Sequence, residues 1–523
     1  MLAPARFCFN VTPFLISLIL IYLTPSCNNP TIKAPKETSI SSGEKLARSY
    51  CSSCHQFPEP SLLDKKSWEQ GVLPHMGPML GIYEFNYQRY PANIGDANLP
   101  KGFYPAQPAL QPGEWENIIK YYTTSSPDSL SIPARKTKTA PKLPLFTVRA
   151  PAIRYNDPST SFVKIEHHSA ENDLLVCDLF KQNLYRFNKH LDVVDSMFSS
   201  GAIVDIDFQR EGMLTCNIGT FNPTNNKYGE ARYIRTTATG KFEKDKQPLF
   251  KDLTRPVQIE PADLNKDGKT DYVVCEFGYL AGALSWMENT GNNKFERHVL
   301  RPVPGAVRVC VGDYNKDGLT DILALFAQGE EGVFIFTNKG NGTFDQQEVL
   351  RFPPSYGSSY FELDDFNKDG HPDILYTCGD NADYSTILKP YHGVYIFMND
   401  GSNHFDQKYF FPLNGCYKAV ARDFDNDGDL DIAAIAYFAD YARHPEEGFV
   451  YLKNEGNFSF KPYELAGTET GRWMTMDAGD IDGDGRIDLV LGNFSTGPVS
   501  IRSKIKWEEG PPFILLKNTG KEY

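Results

Sequence analysis

The sequence predicts a multidomain chain in which a small all-α domain is followed by an all-β, seven-bladed β-propeller. Its main support is a nine-residue motif, D-x-[DN]-x-D-G-x-x-D, that starts at Asp263, Asp313, Asp365, Asp423 and Asp480. Because the copies recur every 50 to 58 residues, they indicate a repeat architecture and not an isolated loop. The second observation is that two helices are predicted before the repeats, at "SSGEKLARSY" and "PALQPGEWENIIKYYTTS", which places the α-domain at the N-terminal end.

Each repeat contains the strands and turns of one propeller blade. An apolar strand follows every motif, for example "IAAIAYF" after Asp431. A second strand then ends in Asn and enters a glycine turn, as in "VYLKNEGNFSF". Strand, acidic loop, strand and hairpin within about 50 to 60 residues fit a four-stranded blade.

Two weaker units upstream complete seven blades. "DFQREGMLT" from Asp207 keeps the spacing, but Thr215 replaces the last Asp, so we expect its metal loop to be lost. The stretch "NDLLVCDLFKQNLYRFNKHLDVVD" has strands and no acidic loop. The last hairpin lacks a fourth strand, and we expect residues 145–150 to supply it, so that no sheet edge is left open.

These units resemble FG-GAP/VCBS repeats, the blades of integrin-α-type β-propellers, and "FGYLAG" from Phe277 carries the FG dipeptide. The resemblance implies that each loop binds Ca²⁺, up to five ions in all, with a structural role. Ca²⁺ takes six to eight oxygen ligands, and Gly at position 6 permits the positive φ of the turn. An EF-hand is excluded because its twelfth ligand is replaced by Ala434, while solvated Asx turns without metal remain the alternative.

The predicted calcium ligands occupy positions 1, 3, 5 and 9 of the loops. They are Asp263, Asn265, Asp267 and Asp271; Asp313, Asn315, Asp317 and Asp321; Asp365, Asn367, Asp369 and Asp373; Asp423, Asp425, Asp427 and Asp431; and Asp480, Asp482, Asp484 and Asp488.

Residues 1–27 are predicted to be a signal peptide. They contain one basic residue, Arg6, and an apolar run from Phe14 to Tyr22 that is too short to span a membrane. Cys27 follows "LTPS" and resembles a bacterial lipoprotein cleavage site; ordinary secretion is the alternative. We therefore expect an exported protein, periplasmic, lipid-anchored at the outer membrane or on the cell surface, with membrane contact only through Cys27. The net charge of −13 argues against a nucleic-acid partner.

The stretch "YCSSCHQF" contains Cys51, Cys54 and His55 in the pattern C-x-x-C-H, the attachment signature of c-type haem. Two thiols form thioether bonds and the histidine becomes an axial iron ligand. A zinc site would need a second ligand pair, but residues 56–130 contain no further Cys and one His, His75. A redox pair would need a thioredoxin-like βαβ context, which is absent.

Residues 38–125 resemble a class I cytochrome c domain. "SSGEKLARSY" predicts a helix with a Ser cap, and "PALQPGEWENIIKYYTTS" predicts the closing helix with Pro in its first turn. The family's usual methionine before the closing helix is missing from "KGFYPAQPAL". We expect Met76 to be the sixth ligand, with Met79, His75 or a five-coordinate iron as alternatives.

Residues 126–143 are rich in Ser, Pro, Lys and Thr and are predicted to be a linker to the propeller at 144–523. The favoured function is electron transfer between the haem and a redox partner protein or a small electron donor or acceptor. One alternative is a haem-coupled enzyme acting on a carbohydrate, and another is a scaffold that binds a protein ligand; no catalytic residue is predicted. The inserts "CGDNADYS" from Cys378 and "YFADYARHPEEG" from Tyr437 either line a propeller face that would carry an active site or are solvated loops.

Overall fold

The computed structural model describes residues 38–132, 145–166, 172–498 and 507–521. The predicted signal peptide, Cys27 and most of the predicted linker lie outside these ranges. The first described range forms helices α1 (Ser39–Cys51), α2 (Leu73–Met79) and α3 (Pro112–Ser125), together with a 3-10 turn (Pro60–Leu62) and a π-helical turn (Ser67–Val72). Among the described residues, no helix has both the length and the hydropathy required to cross a membrane.

Helices α1 and α3 pack closely because Gly43 has no side chain. A Cβ at this position would overlap the backbone carbonyl of Asn117. Ala47 on α1 and Ile118 on α3 are fully buried at this contact. The predicted closing helix is confirmed, whereas α1 begins at Ser39, two residues before the predicted Ser cap. The residue before the helix is thus Thr38, and because Thr and Ser are both favoured at the N-cap, the sequence could not distinguish the two starts.

In the described part of the chain seven antiparallel sheets follow, six of four strands and one of five, and they confirm the predicted propeller. We label the strands of each blade A to D from the axis outwards. Strands A of consecutive blades contact one another around the axis. The first three blades comprise these strands: blade 1, Thr160–Glu166, Asp173–Asp178, Asn183–Phe187 and Val193–Phe198; blade 2, Ile203–Gln209, Gly212–Asn217, Gly229–Thr236 and Phe242–Lys244, with Phe250–Leu253 also paired to strand C; blade 3, Pro256–Ala262, Asp271–Glu276, Ala283–Gly291 and Lys294–Arg301.

The remaining blades comprise these strands: blade 4, Ala306–Gly312, Asp321–Phe326, Gly332–Asn338 and Phe344–Arg351; blade 5, Ser358–Asp364, Asp373–Cys378, Gly393–Asn399 and Phe405–Pro412; blade 6, Cys416–Arg422, Asp431–Ala436, Phe449–Asn454 and Phe460–Tyr463; blade 7, Trp473–Gly479, Asp488–Asn493, Phe513–Asn518 and Phe146–Arg149. Short pairs join Glu84–Phe85 to Gln88–Arg89 and Tyr155–Asn156 to Glu509–Gly510, and 3-10 turns occupy Pro445–Gly448 and Thr468–Thr470.

Blade 7 takes its outer strand from the N-terminal side of the propeller, as predicted. Phe146 pairs with Asn518 and Val148 with Leu516 in an antiparallel register. The buried Phe146 ring lies 5.8 Å from the rings of Phe424 and Tyr451 in blade 6. The closing strand therefore joins two blades as well as completing one.

Acidic and amide side chains of strand A connect neighbouring blades near the axis. Oδ2 of Asp477 in blade 7 accepts the backbone N–H of Ile165 in blade 1 at 2.8 Å. Oε1 of Glu362 in blade 5 accepts the N–H of Ala421 in blade 6 at 2.6 Å. Strand B is buried at every position in blades 3 to 7, so apolar packing fills the space between the sheets.

Blade 2 confirms the predicted loss of its loop. Strands A and B are joined by a tight hairpin in which Gln209 pairs with Gly212. The hydroxyl of Thr215 donates to the carbonyl of Arg232 at 2.8 Å, whereas blades 3 to 7 have Asp at motif position 9. This hairpin is too short to form a nine-residue loop.

Candidate functional site

The C-x-x-C-H motif lies at the end of α1. Cys51 is the last helical residue and is partly buried, whereas Cys54 is exposed, and both are free thiols. Burial raises the pKa of the Cys51 thiol to about 11, which keeps it protonated. Redox-active C-x-x-C pairs need a lowered thiol pKa, so this environment does not support the redox alternative.

The imidazole of His55 is oriented by its neighbour. Nδ1 lies 2.9 Å from the carbonyl oxygen of Gln56 and donates to it in the corresponding tautomer. Burial lowers the pKa of His55, so the ring is neutral. A neutral imidazole with one nitrogen fixed by a carbonyl leaves Nε2 as a metal ligand.

The three predicted sixth ligands lie in different surroundings. Met76 on α2 is partly buried against the helical core, in the same cluster as Cys51 and Phe57. Met79 has 40% of its surface exposed. The ring of His75 stacks on Tyr384 of blade 5 with centroids 4.1 Å apart. Met76 is thus the residue of the three that shares a core cluster with the motif.

The insert of blade 5, residues 379–392, contacts the helical domain. The hydroxyl of Tyr391 donates to the carbonyl of Leu62 at 3.1 Å, and the hydroxyls of Ser67 and Ser385 lie 3.1 Å apart. Ile387 packs against the helical core. The insert is therefore part of an interdomain contact rather than a solvated loop.

Blade 2 provides a second contact with the helical domain. Nδ2 of Asn225 donates to Oδ2 of Asp96 at 2.8 Å, and Nδ2 of Asn98 donates to Oδ1 of Asn226 at 3.1 Å. The carboxamide oxygen of Asn225 also accepts the backbone N–H of Leu280 at 2.8 Å in blade 3. Amide side chains thus connect the helical domain to two blades.

The insert of blade 6 is packed as well. Tyr437, Phe438 and Tyr441 are each less than 5% exposed. The guanidinium of the buried Arg472 lies 4.1 Å from the centroid of the Tyr437 ring. The first half of "YFADYARHPEEG" is therefore core, while Arg443 and His444 at its tip face solvent.

The acidic loops share one backbone conformation, illustrated by blade 4. Oδ1 of Asp313 accepts the N–H of Asp317 at 3.0 Å, and Oδ2 accepts the N–H of Gly318 at 2.8 Å. Position 4, Lys316, has a φ of 60°, and Gly318 has a φ of 82°. The bond from position 6 to position 1 recurs in blades 3, 5, 6 and 7.

Position 9 is a buried structural carboxylate, a role that the sequence did not predict. In blade 4, Oδ1 of Asp321 accepts the N–H of Asn338 at 2.8 Å and Oδ2 accepts the N–H of Tyr314 at 3.1 Å. Blades 3, 5 and 7 repeat both bonds. In blade 6 the hydroxyl of Tyr451 donates to Oδ2 of Asp431 at 2.6 Å.

The Asn that ends strand C completes this arrangement. Nδ2 of Asn338 donates to the carbonyl of Thr320 at 3.0 Å, and Oδ1 accepts the N–H of Gly340 at 2.9 Å. Equivalent pairs of bonds occur at Asn289, Asn399, Asn454 and Asn518. In the sequence, the Asn that recurs before each glycine turn was the signal from which this arrangement could have been found.

In the described part of the chain, three clusters bring His, Cys or carboxylate ligand atoms within 4.8 Å of one another. Two lie in predicted calcium loops, at Asp423, Asp425 and Asp427 and at Asp480, Asp482 and Asp488. The third was not predicted and joins Glu288, Glu296 and His298 across strands C and D of blade 3. The predicted loop ligands are thus close enough to share a cation in at least two blades.

A cavity of about 510 Å³ opens among strands A of blades 4, 5 and 6. Arg308, Glu362, Asp364 and Arg422 contribute to its wall. Nη1 of Arg422 donates to Oε1 of Glu362 at 3.3 Å. Buried oxygen and nitrogen atoms of Asp364 and Arg308 have no hydrogen-bond partner, so the wall offers both acceptors and donors.

Comparison with known proteins identifies FG-GAP-like repeats at residues 263–324, 324–376 and 437–491. Cartilage acidic protein 1 is 30% identical over 209 residues in Mus musculus and 31% identical over 222 residues in Xenopus tropicalis, which is 37% and 39% of this chain. The chain spans 30% and 31% of the length of these two relatives. Integrin alpha-PS3 of Drosophila melanogaster is 38% identical over 118 residues, 19% of this chain and 10% of that protein.

Solved structures that resemble the chain include virginiamycin B lyase from Staphylococcus aureus, with a TM-score of 0.41, 11% identity and coverage of 71% of this chain and 98% of that one. The Dos1 propeller has a TM-score of 0.40 and 7% identity, and covers 67% of this chain and 76% of its own. The repeat matches, together with the strand order of the sheets, show that the chain carries FG-GAP-like repeats on a seven-bladed β-propeller.

Proposed function

We propose that the protein is an exported c-type cytochrome that transfers electrons and holds its haem domain against a calcium-stabilised propeller. The observation that carries this proposal is the local structure of the C-x-x-C-H motif. Cys51 and Cys54 are free thiols, and the neutral His55 is fixed through Nδ1. This donor set fits covalently attached haem better than zinc or a dithiol redox pair.

Bound haem would supply one-electron chemistry, with Cys51 and Cys54 forming thioether bonds and His55 binding iron. The carbonyl of Gln56 orients the imidazole. Met76 is the proposed second axial residue because it packs in the cluster that contains Cys51. The close crossing of α1 and α3 at Gly43 holds the end of α1, and hence the motif, in place.

Covalent haem is tested by producing the full chain in a host with cytochrome c maturation and extracting the denatured protein with acid acetone. We expect haem to remain with the wild-type protein and to be lost from the Cys51→Ser plus Cys54→Ser variant. Cys310→Ser, a cysteine of blade 4, is the matched control and should retain haem. A wild-type protein without covalent haem would disprove the proposal.

The second axial residue is tested with two methionine variants. Met76→Ala should change the haem spectrum and midpoint potential, because it removes the partly buried thioether. Met79→Ala is the control, since Met79 is 40% exposed. Identical spectra for Met76→Ala and wild type would exclude Met76.

Electron transfer to a redox partner is distinguished from catalysis by the source of electrons. A carrier should be reduced by quinols or by a partner protein, and should not be reduced by sugars. Haem reduction that depends on a saccharide would instead support the carbohydrate-active enzyme.

We also propose Ca²⁺ as a structural ion of the acidic loops, up to five in number. In blade 4 the residues at positions 1 and 5, Asp313 and Asp317, are exposed, so an ion can reach the loop from solvent. Chelation should lower the Tm and added Ca²⁺ should restore it. A Tm that responds to neither treatment would contradict calcium binding.

Export through residues 1–27 and lipidation at Cys27 complete the proposal. Cys27→Ala should release the protein from the membrane fraction if Cys27 carries a lipid. If the wild type and the Cys27→Ala variant were both found in the soluble fraction, ordinary export would be favoured.

The cavity between blades 4 and 6 favours a second candidate, a propeller that binds a small polyhydroxylated ligand such as a saccharide. Its volume of about 510 Å³ and its unpartnered donor and acceptor atoms suit such a ligand. Calorimetric titration with oligosaccharides, with Asp364→Ala as the binding variant, tests this candidate; no measurable heat would exclude it.

A further inference from the structure

The five acidic loops are of two kinds, distinguished by the residue before the Asn that ends strand C. In blades 6 and 7 this residue is a lysine, Lys453 or Lys517. In blades 3, 4 and 5 it is Glu288, Thr337 and Met398. The position faces the loop, since Nδ2 of Asn265 at loop position 3 donates to Oε1 of Glu288 at 3.1 Å.

The ammonium of Lys517 lies among the carboxylates of the blade 7 loop. Nζ is 2.7 Å from Oδ1 of Asp482, 2.7 Å from Oδ2 of Asp484 and 3.3 Å from Oδ1 of Asp488. The side chain is 14% exposed. Three of the four proposed calcium ligands of this loop thus contact one cation that belongs to the chain.

Lys453 has the same placement in blade 6. Nζ contacts Oδ2 of Asp425 and lies 3.7 Å from Oδ2 of Asp427, and the side chain is 22% exposed. These carboxylates occupy loop positions 3 and 5, as Asp482 and Asp484 do in blade 7. The two lysines therefore reach equivalent points in two loops.

Loop position 3 changes together with the lysine. It is Asp425 or Asp482 where the lysine is present, and Asn265, Asn315 or Asn367 where it is absent. An extra carboxylate is thus matched by an extra ammonium within the same blade. In blades 4 and 5 the Asn carboxamide donates to position 5 instead, at 2.9 Å and 2.8 Å.

Lysine is also present in the blade 3 loop, but in a different position. Lys269, at loop position 7, contacts Asp267 and is 43% exposed. The ammonium of Lys269 can turn away from Asp267 into solvent without disturbing strand C. The adjacent Glu288 adds negative charge to this loop, so blade 3 remains a site for an added cation.

We propose that Lys453 and Lys517 are tethered cations that close the loops of blades 6 and 7 without metal, so that tight calcium binding is confined to blades 3, 4 and 5. This inference rests on the proposed calcium sites. Ca²⁺ and the ammonium compete for the same oxygens, and Ca²⁺ must break charge-assisted bonds to enter. The loop of blade 7, the blade that closes the ring, then keeps its shape when calcium is scarce, because Lys517 still pairs with its carboxylates.

The test is the number of tightly bound Ca²⁺ ions, measured on the full chain by isothermal titration and native mass spectrometry. We expect the wild type to bind one ion in each of the loops of blades 3, 4 and 5, where the residue before the strand C Asn is not lysine. The Lys453→Met plus Lys517→Met variant should gain two ions, each bound at least about tenfold more tightly than at the same loops of the wild type. Met keeps the length of the side chain and removes its charge.

A reciprocal variant tests the same inference in blade 5. Met398→Lys plus Asn367→Asp should convert its loop to the lysine kind and lose one tight ion. Lys339→Met is the matched control, because Lys339 pairs with Asp345 at 3.3 Å in the outer hairpin of blade 4. It should leave the count unchanged.

The outcomes separate this inference from the proposed function. Five ions of equal affinity in the wild type would overturn the lysine proposal and support calcium binding. An unchanged count in the Lys453→Met plus Lys517→Met variant would overturn it too, and if that variant failed to fold, the blade 5 conversion would decide. No tight ion in any variant would overturn both proposals.

Discussion

The backbone amide of Asn338 donates to Oδ1 of Asp321 at 2.8 Å, which joins the end of strand C to the start of strand B in blade 4. The other carboxylate oxygen accepts the N–H of Tyr314 from the loop. Asp321 is fully buried, whereas Asp313 and Asp317 of the same loop are exposed. Position 9 therefore stabilises the blade itself, in addition to its predicted role as a calcium ligand.

Asp321→Ala should reduce the free energy of unfolding by about 2 to 5 kcal/mol, because two buried N–H groups lose their acceptor. The loss should already be present in EDTA, as measured by urea denaturation. Asp317→Ala is the control; it should change stability only in Ca²⁺. Equal losses for the two variants in EDTA would contradict the division of roles within the loop.

The sequence was sufficient for the propeller because its signals are local and periodic. Each motif lies next to an apolar strand, so blade number, loop positions and the closing strand at Phe146 were all predictable. The period also predicted that blade 2 lacks a loop, since Thr215 stands where the others have Asp.

The interdomain contact and the lysine contacts were not predictable in this way. Ser67 meets Ser385 across more than 300 residues of sequence, and no local pattern encodes that distance. Lys517 reaches Asp482 only because strand C lies beside the loop in the folded sheet. The choice among Met76, Met79 and His75 was left open for the same reason, because the packing of α2 against the helical core is a tertiary contact.

Phe146→Ala should lower the free energy of unfolding by about 3 to 5 kcal/mol, because it leaves a cavity between the rings of Phe424 and Tyr451. The closing strand should then detach more easily, which hydrogen exchange at residues 146–149 would detect. Thr147→Ala, on the exposed face of the same strand, is the control. Equal exchange in the two variants would argue against closure through Phe146.

Gly71→Ala should weaken the contact between the helical domain and blade 5. A Cβ at Gly71 would overlap the carbonyl oxygen of Tyr384, so one backbone must move. We expect faster hydrogen exchange across residues 379–392. Gly113→Ala is the control, because a Cβ there meets nothing within 4 Å and alanine favours helix α3. Unchanged exchange in Gly71→Ala would show that the insert holds its shape without the helical domain.

Glu331 should make stability fall as the pH rises. It is 2% exposed, and its carboxylate accepts the N–H and the hydroxyl of Ser358 at 2.9 Å and 2.7 Å. Burial outweighs these bonds and raises the pKa of Glu331 from 4.5 to about 8. Between these values the folded chain binds more protons than the unfolded chain, so the stabilising contribution is complete below pH 4.5 and is lost as the pH rises through about 8.

Urea denaturation between about pH 5 and about pH 9 checks this prediction, with a loss of at most about 1.4 kcal/mol per pH unit attributable to one group. Glu331→Gln cannot ionise, so the difference in stability between wild type and variant should shrink steadily up to about pH 8 and then level off. Glu455→Gln is the control, because its side chain is 50% exposed and pairs with Lys461 at 3.9 Å. If the wild-type and Glu331→Gln curves ran parallel over the whole range, Glu331 would have to be ionised in the folded protein, and its bonds to Ser358 would then outweigh the cost of burying its charge.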